Sequence, residues 1–274
     1  MTGANWPDGD AEARWLAAFL ARHGIPAEIS VWDDPAVDWA SAPLTIIRSA
    51  WDYHRKHAAF LAWADRVSDL TRLENPPDVI RWNTHKSYLS RLEAAGIAVI
   101  PTVMVEDPDP GRVERVLVER GWSRAMLKPI VGLDGEDVEE VSPTRLPGAG
   151  LEGTWLLQPF VPEILTDGEV SVVVIEGAIT VAVRKRAAVG EVRVQPRYGG
   201  TIEIATVEEE AAAVTAACLD VIGKPLLYAR VDVVRYGGRY HVMELELVEP
   251  TLYLDEDARS AEAMLAGIRG RLKV

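Results

Sequence analysis

The sequence predicts a mixed α/β fold, with α+β character, in which a Rossmann-like domain precedes antiparallel sheets. An amphipathic helix over residues 10–23 is followed by strand patterns at 27–32 and 44–48, and this alternation favours a parallel sheet. Two further strand pairs flank the turn signals Glu176-Gly177 and Gly237-Gly238, which are typical of β-hairpins. We therefore expect a parallel domain first and hairpin sheets after it.

Length and composition indicate a globular chain with room for two or three subdomains. The 274 residues are 48% hydrophobic and 26% charged. The net charge is 29 − 42 = −13, which argues against a nucleic acid or an anionic membrane as the main partner. No apolar run approaches the roughly 20 residues of a membrane span, and there is no signal peptide, so we expect a cytoplasmic protein.

The first domain has an unusual start. A doubly wound domain normally opens with a strand, whereas Met1–Asn5 is barely long enough for one before the first helix. That strand is therefore very short or lost. After the strand at 44–48, the residues Arg48, Trp51 and Tyr53 lie where open parallel sheets bind ligands, which makes them candidates for a substrate pocket, with plain packing as the alternative.

The later elements follow in order. We predict helices at 54–70, 87–95, 109–121, 208–222 and 256–272, and strands at 97–102, 125–129, 155–161, 170–175 and 179–186. The single cysteine, Cys218, lies in an alanine-rich helix, so we interpret it as a core residue and exclude a disulfide. His54 and His57 lie three apart, but without a third ligand a solvated helix start is the preferred interpretation. Lys86 precedes a helix, where a cation is unfavourable unless it is exposed or beside an anion.

Two stretches suggest anion binding. Lys128 is followed by Gly132-Leu133-Asp134-Gly135, a loop whose backbone N–H groups can approach phosphates, although no complete phosphate-loop motif is present. Farther on, a basic cluster in this acidic chain suits a carboxylate or phosphate, with a basic surface patch as the alternative. Its members and neighbours are Arg184, Lys185, Arg186, Arg193, Arg197, Tyr198 and Gly199.

The C-terminal hairpin carries the most informative residues. Glu244 and Glu246 share one face of a predicted strand, and Asp232 on the partner strand can join them. Converging carboxylates require a cation, and oxygen ligands suit Mg²⁺ or Mn²⁺. The alternative is a set of ordinary outward charges. A two-residue Gly237-Gly238 turn places Asp232 opposite Met243, on the wrong face, so we predict a longer loop or a β-bulge that shifts the register by one.

In this order and spacing, these residues resemble the ATP-grasp superfamily, in particular its glutathione-synthetase-like branch that includes D-cycloserine ligase. The resemblance covers about residues 30–260 and rests on five pieces: 48–53, 75–86, 128–138, 158–161, and Asp232 with Glu244 and Glu246. It implies an ATP-grasp fold with a Rossmann-like substrate domain over 1–85, a small lid subdomain over 86–160 and a large subdomain over 161–274.

The resemblance also implies site roles. Lys86 and Lys128 contact the phosphates of ATP, and the loop from Gly132 to Gly135 closes over them. Phe160 and Val161 hold adenine beside Gln158, and Glu163 or Glu169 reaches the ribose. Asp232, Glu244 and Glu246 match the three metal-ligand positions, although many relatives have Asn at the last. Arg184, Arg186 and Arg193 hold the acceptor carboxylate or the acyl phosphate, with Arg193 and Lys128 as the catalytic cations.

The implied function is that of an ATP-dependent carboxylate–amine ligase that acts through an acyl phosphate on a small amino-acid-like substrate. An intramolecular, ring-closing version is included. The oligomeric state is open, with a homo-oligomer as one option because relatives often form dimers or tetramers. One alternative is a nucleotide-binding regulatory or degenerate protein without turnover. Another is a plain α/β binding protein with surface acids.

Overall fold

The computed structural model describes residues 1–133 and 135–273, and within them it contains eight α-helices and eleven strands. The helices are α1 (Ala11–Arg22), α2 (His57–Ser68), α3 (Pro77–Asn83), α4 (Tyr88–Ala94), α5 (Pro110–Arg120), α6 (Glu163–Thr166), α7 (Glu209–Ile222) and α8 (Ala258–Leu272). The strands are β1 (Leu44–Ile46), β2 (Arg72–Glu74), β3 (Val103–Glu106), β4 (Ala125–Pro129), β5 (Glu139–Val141), β6 (Thr154–Pro159), β7 (Glu169–Ile175), β8 (Ala178–Arg186), β9 (Thr201–Ala205), β10 (Tyr228–Tyr236) and β11 (Arg239–Glu246). In this part of the chain no helix is both long and apolar enough to cross a bilayer.

A small parallel sheet organises the N-terminal domain. β1 and β2 pair in parallel, and Met1–Gly3 adds a very short opening strand beside β1. The N–H of Arg48 donates to the carbonyl of Met1 at 3.1 Å, and Thr2 bridges Val31 in parallel. The expected opening strand is therefore present but very short. Of the predicted strand at 27–32, Val31 alone forms a β-bridge, because the neighbouring opening strand pairs with this segment only at Thr2.

The second sheet has four antiparallel strands in the order β3-β6-β4-β5. α5 packs on it, starting with the side chain of Asp109 accepting from the N–H of Arg112 and ending at Gly121 in a left-handed conformation. The predicted strand at 97–102 is wrong. Only Val99 forms a bridge, pairing in parallel with Val242, and the regular strand begins at Val103. The segment crosses between two sheets, so it cannot form a continuous ladder with either.

The third sheet has five antiparallel strands in the order β11-β10-β7-β8-β9. Every residue of β7 is buried, because α7 covers one face of the sheet and α8 with α1 covers the other. Val172 and Val174 pack toward Cys218 of α7, whereas Val173 and Ile175 pack toward α8. Both predicted hairpins are confirmed, with turns at Glu176-Gly177 and Gly237-Gly238 in which all four residues have positive φ.

Each sheet lies within one of the three predicted domain ranges: β1 and β2 within 1–85, β3 to β6 within 86–160, and β7 to β11 within 161–274. The boundaries themselves stay a prediction. The second and third sheets face each other across a cleft, and this cleft is where most of the candidate site residues lie.

Candidate active site

The cleft between the second and third sheets is lined by residues of both. Its wall includes Lys86, Lys128, Gly132, Gly135, Glu136, Gln158, Phe160, Val161, Glu169, Arg193, Met243 and Glu244. Its free volume is about 110 Å³, whereas ligand pockets usually measure about 300–1,000 Å³. A ligand of nucleotide size therefore enters only if part of this wall moves.

The predicted β-bulge is confirmed at Met243. The turn has two residues, since Tyr236 pairs with Arg239, and Val233 pairs with Val242. The next residue of β10, Asp232, lies opposite Glu244, so Met243 is the extra residue of the bulge. The shift places Asp232, Glu244 and Glu246 on one face of the sheet, where a regular ladder would separate them.

Asp232 is held in a buried network of cations. Arg230 donates to both of its oxygens at 2.9 Å, Lys185 approaches at 3.2 Å, and the hydroxyl of Ser171 donates at 2.5 Å. Burial opposes ionisation, but Arg230 and Lys185 outweigh it and hold the pKa of Asp232 well below its usual range. Arg230 also pairs with Glu246. This carboxylate is therefore charged and held in place by protein donors.

Lys185 is a site residue that the sequence analysis assigned only to the basic cluster. Its ammonium lies 2.5 Å from Glu169 and 3.2 Å from Asp232, with only 6% of the side chain exposed. Because side chains alternate along a strand, its neighbours Arg184 and Arg186 point the other way. They donate to the carbonyls of Asp167 and Thr166 at 2.6 and 2.9 Å. The structure therefore brings Lys185, and neither predicted arginine, to the acidic face.

Two lysines lie on the cleft wall. Lys86 forms an ion pair with Glu244 and donates to the carbonyl of Gly132 at 2.9 Å. Although burial works against it, the Glu244 carboxylate raises the pKa of Lys86. Lys128 donates to Oε1 of Gln158 at 2.8 Å, and burial together with the charge of Lys86 lowers its pKa. Of the two alternatives for Lys86, solvent exposure or a neighbouring anion, the structure has the second.

The glycine loop is fixed by sterics at one end and by ion pairs at the other. A Cβ on Gly132 would lie 2.7 Å from the ring of Pro129, so only glycine fits there. Gly135 has a φ of +70°, and Asp134 between them lies outside the described residues. The next residue, Glu136, lies 3.0 Å from both His54 and Arg55 of the N-terminal domain and 3.4 Å from Arg197. Sequence reasoning missed Glu136, because nothing local distinguishes it from its acidic neighbours.

The predicted adenine segment lies on the cleft wall at the end of β6. Gln158 bridges Lys128 and the hydroxyl of Thr102, to which its Nε2 donates at 2.9 Å. The N–H of Phe160 donates to the carbonyl of Arg124 at 3.0 Å, and the Arg124 guanidinium stacks on the Phe160 ring at 3.8 Å. Val161 is buried beside it. These contacts fix the shape of this wall.

Arg193 is the member of the basic cluster that lines the cleft. It pairs with Glu191 at 2.7 Å and stacks on the ring of Tyr198 at 3.5 Å. A Cβ on Gly135 would lie 3.4 Å from its Cδ, so this loop packs against the glycine loop. Tyr198 and Gly199 end a 3₁₀ turn (Pro196–Tyr198) and are not among the lining residues.

The three substrate-pocket candidates from the first domain make packing contacts and do not line the cleft. Arg48 is buried, pairs with Glu12 and donates to the carbonyl of Pro250 at 2.7 Å. Tyr53 stacks on Phe60 with ring centroids 4.6 Å apart. Trp51 donates to the carbonyl of Glu249 at 3.4 Å. None of the three is among the residues that line the cleft.

The acidic face suits a divalent cation, although the described residues contain no ready-made group of three metal ligands. The carboxylates of Glu244 and Glu246 are paired with Lys86 and Arg230. Even so, burial raises the pKa of Glu246 to about 8 and that of Glu249 well above its usual range, and Oε2 of Glu249 has no partner. Buried carboxyl groups that are short of cationic partners, together with the all-oxygen donor set, fit Mg²⁺ or Mn²⁺ once these ion pairs rearrange. The histidine pair does not fit, since His54 contacts Glu136 and His57 contacts Thr84.

Comparison with known proteins places this arrangement in a family. Residues 1–75 match the family model described as the N-terminal domain of D-cycloserine synthetase DcsG. The chain is 32% identical to the cycloserine biosynthesis protein DcsG of Streptomyces lavendulae, over 91% of this chain and 90% of that protein. It superposes on a crystal structure of D-cycloserine synthetase DcsG with a TM-score of 0.85 at 29% identity, over 99% of this chain and 98% of the other. A RimK-domain ATP-grasp protein from Sphaerobacter thermophilus has the same fold, with a TM-score of 0.68 and 18% identity over 95% of this chain and 96% of that one.

The fold and the cleft thus define an ATP-grasp ligase, an enzyme that joins a carboxylate to an amine with formation of ADP. Within that class the chain belongs to the family of DcsG. ATP and Mg²⁺ are the cofactors of ligases of this kind. Family membership favours a ligase over the regulatory and plain-binding alternatives.

Proposed function

We propose that this ligase closes a ring within one small amino-acid-derived molecule, as the name D-cycloserine synthetase describes for its relative. The observation that carries the proposal is that Lys86 and Lys128 share a cleft with Glu244, beside the buried face of Asp232 and Glu246. Two cations and one acid in the cleft, with the two other acids of a metal-compatible set beside it, suit the transfer of a phosphoryl group to a carboxylate.

We assign the nucleotide to the cleft between the two antiparallel sheets. Lys86 and Lys128 contact its phosphates, and the loop from Gly132 to Gly135 lies over them. The wall of Gln158, Phe160 and Val161 receives adenine. Glu169, which lines the same cleft, is the nearer candidate for the ribose, whereas Glu163 contacts the N–H of Gly237 in the hairpin turn.

We assign the metal to Asp232, Glu244 and Glu246. A bound Mg²⁺ would neutralise the negative charge of the phosphate group that the carboxylate attacks. Of the protein groups, Arg230 and Lys185 keep Asp232 ionised and immobile. When the nucleotide binds, the Lys86 ammonium leaves its ion pair with Glu244 and contacts the phosphate oxygens. The same positive charge therefore neutralises Glu244 in the free enzyme and the phosphates in the complex.

The chemistry then proceeds in two balanced steps. A carboxylate oxygen of the substrate attacks the γ-phosphorus, the bond to the β-phosphate oxygen breaks, and an acyl phosphate and ADP result. A nitrogen of the same molecule attacks the acyl carbon, inorganic phosphate leaves with the bonding electron pair, and the nitrogen loses a proton. We assign the acyl phosphate to Arg193, which lines the cleft, and the neutralisation of charge at the transferred group to Lys128.

Ring closure fits this site because both reacting groups arrive on one molecule, so no second acceptor has to bind. Intramolecular reactions of this geometry gain effective molarities of about 10⁵ M or more. The substrate class is therefore an amino acid whose side chain carries a hydroxylamine-type or ureido nitrogen. We assign the substrate to the side of the cleft that Arg193 lines. The Arg193 guanidinium stacks on Tyr198, whereas Tyr198, Gly199, Arg48, Trp51 and Tyr53 do not line the cleft themselves. Because ATP is the energy source, we place the reaction in the cytoplasm, and a homo-oligomer stays our prediction for the assembly.

The test is an ADP-release screen over D- and L-amino acids and their O-ureido and hydroxamate-like derivatives, with the product mass recorded. We expect a single derivative to release ADP and to give a product lighter than that derivative by one water, because a carboxylate oxygen leaves with the phosphate and the nitrogen loses a proton. Lys128→Met should abolish this turnover, and Lys224→Met, which alters an exposed ion pair with Asp78, should leave it unchanged. ATP binding without ADP formation across the whole panel would instead support the non-catalytic alternative.

A further inference from the structure

Glu249 carries a buried carboxyl group that has no role in the assignments made above. The residue is only 7% exposed, and among the described residues its Oε2 has no hydrogen-bond partner. The cations nearest to the acidic face, Lys86 and Arg230, pair with Glu244 and Glu246 instead. A buried carboxylate without a cation is costly in free energy, so this group suits a cation that a ligand brings.

The backbone around Glu249 is fixed by side chains from several elements. The carbonyl groups of residues 248–250 accept hydrogen bonds in turn from Tyr228 at 2.8 Å, Trp51 at 3.4 Å and Arg48 at 2.7 Å. Glu12, which pairs with Arg48, also accepts from the N–H groups of residues 252 and 254 at 3.0 and 2.9 Å. The segment is therefore held from several sides, as a binding group requires when its side chain has to point in one direction.

The carboxyl group of Glu249 lies beside the acidic face of the third sheet. Burial and the charges of Glu246 and Glu244 raise its pKa well above its usual range, whereas the charge of Lys86 opposes this rise. Residues that act on the carboxyl group in this way are its neighbours. Glu249 is therefore close to the groups that we assign to the metal and to the phosphates of the nucleotide.

Tyr53 connects this carboxyl group to the side of the cleft that we assign to the substrate. Its hydroxyl group interacts with the carboxyl group of Glu249. Residues 54 and 55, which follow Tyr53, both lie 3.0 Å from Glu136 of the glycine loop. A Cβ on the preceding residue, Gly135, would lie 3.4 Å from Cδ of Arg193. Glu249 and Arg193 therefore lie toward the same end of the cleft, the end that the N-terminal domain covers.

We propose that the carboxylate of Glu249 binds the α-ammonium group of the substrate and so selects α-amino acids over other carboxylic acids. The other cations of the site are already assigned, the metal to the acidic face and the Lys86 ammonium to phosphate. In an α-amino acid one carbon atom separates the ammonium from the carboxylate, so a carboxylate placed for phosphoryl transfer beside the acidic face brings its ammonium toward Glu249. A charge-assisted hydrogen bond then forms. The assignment rests on the substrate class proposed above, and Tyr53 acts on the substrate only through Glu249.

The binding of two matched compounds tests this assignment without requiring turnover. The compounds are the O-ureido derivative of D-serine and the same molecule with hydrogen in place of the α-amino group, each titrated with Mg²⁺ and a non-hydrolysable ATP analogue present. We expect the unmodified protein to bind the amine about tenfold or more tightly than the deamino compound. Glu249→Gln, which keeps the shape of the side chain without its charge, should abolish this ratio. Its affinity for the deamino compound should change by less than about threefold.

Tyr53→Phe should lower the ratio of the two affinities by about threefold, and Glu256→Gln, at an exposed carboxylate, should leave it unchanged. Equal weakening of both compounds by Glu249→Gln, or weaker Mg²⁺ binding in the absence of either compound, would overturn the assignment and leave the ligase function standing. If Glu249→Gln does not fold, an unchanged ratio in Tyr53→Phe overturns it. If neither compound binds and the screen shows no ADP release, the proposed substrate class and this assignment are both wrong.

Discussion

The ammonium of Lys86 and the carboxylate of Glu244 form an ion pair across the cleft, which joins the start of α4 to β11. Both residues are assigned to partners that the bare protein lacks, namely phosphate oxygens for Lys86 and a divalent cation for Glu244. Their mutual contact therefore competes with both ligands, and binding has to separate the pair. A single substitution should reveal this competition.

Lys86→Met should weaken ATP binding and strengthen Mg²⁺ binding in the absence of nucleotide. The loss of a charge-assisted contact to phosphate is worth about 1.5–3 kcal/mol, so we expect the dissociation constant of ATP to rise about tenfold or more. Glu244, freed from its cation, should bind Mg²⁺ more tightly. Calorimetric titration measures both constants.

The matched control for Lys86 is Lys56→Met, which removes an exposed lysine paired with Asp33 at 2.6 Å. Neither dissociation constant should change in that variant. If Lys86→Met weakens Mg²⁺ as much as ATP, the two residues do not compete for ligands, and the proposed exchange of partners is wrong.

Lys185→Met should destabilise the fold far more than the same change at the next residue. Lys185 is buried between Glu169 and Asp232, and its removal leaves two buried carboxylates short of a cation, which costs about 3–5 kcal/mol. Arg186 is exposed, and its ion pair with Glu203 at 3.4 Å is worth about 0–1 kcal/mol. Urea unfolding of Lys185→Met and Arg186→Met measures the difference, and similar unfolding free energies would contradict the buried network.

Cys218 should resist thiol reagents in the folded protein even at pH 9. Burial between α7 and the third sheet raises the pKa of its thiol to about 12 from a usual value near 9. The neutral thiol is therefore the stable form in the folded state as pH rises, and the stability that it contributes is lost only as pH climbs from about 9 toward 12. Modification by a disulfide reagent should become fast only in denaturant. Rapid labelling of the native protein at pH 9 would show that the helix opens or that the thiol is reactive.

Local patterns predicted much of the third sheet and of the acidic face. Two Gly-containing turns located both hairpins, and the alternation of Glu244 and Glu246 gave their common face. The bulge at Met243 was predictable because turn length and the shared face of the acids were incompatible with a regular ladder. These inferences needed only neighbours in sequence.

Features set by distant neighbours were harder to predict. Residues 27–30 have a strand pattern but lack a partner along most of their length, so they stay irregular. Arg184 and Arg186 were chosen for their guanidinium groups, yet the pleat of β8 turns Lys185 toward the acids. Glu136 lies in a loop without periodicity, and its partners come from residues about 60–80 positions away. No local pattern carries that information.

Glu136 gives the last prediction, because its ion pairs tie the glycine loop to the N-terminal domain. Glu136→Gln removes the charge that draws Arg55 and Arg197 to the loop, so the closed cleft should open more often during turnover. An acyl phosphate exposed to water hydrolyses, which consumes ATP without forming product. We therefore expect more ADP per molecule of product, with the ATP dissociation constant changed less than threefold, a difference of about 0.6 kcal/mol.

The control for this ratio of ADP to product is Glu139→Gln, three residues farther along at the start of β5 and exposed to solvent. It changes the same charge without touching the ion pairs, so its ratio of ADP to product should equal that of the unmodified enzyme. A purely structural role for Glu136 would lower both ADP release and product formation in proportion. Only a loss of water exclusion raises ADP release relative to product formation. An unchanged ratio of ADP to product in Glu136→Gln would therefore show that these ion pairs do not close the site.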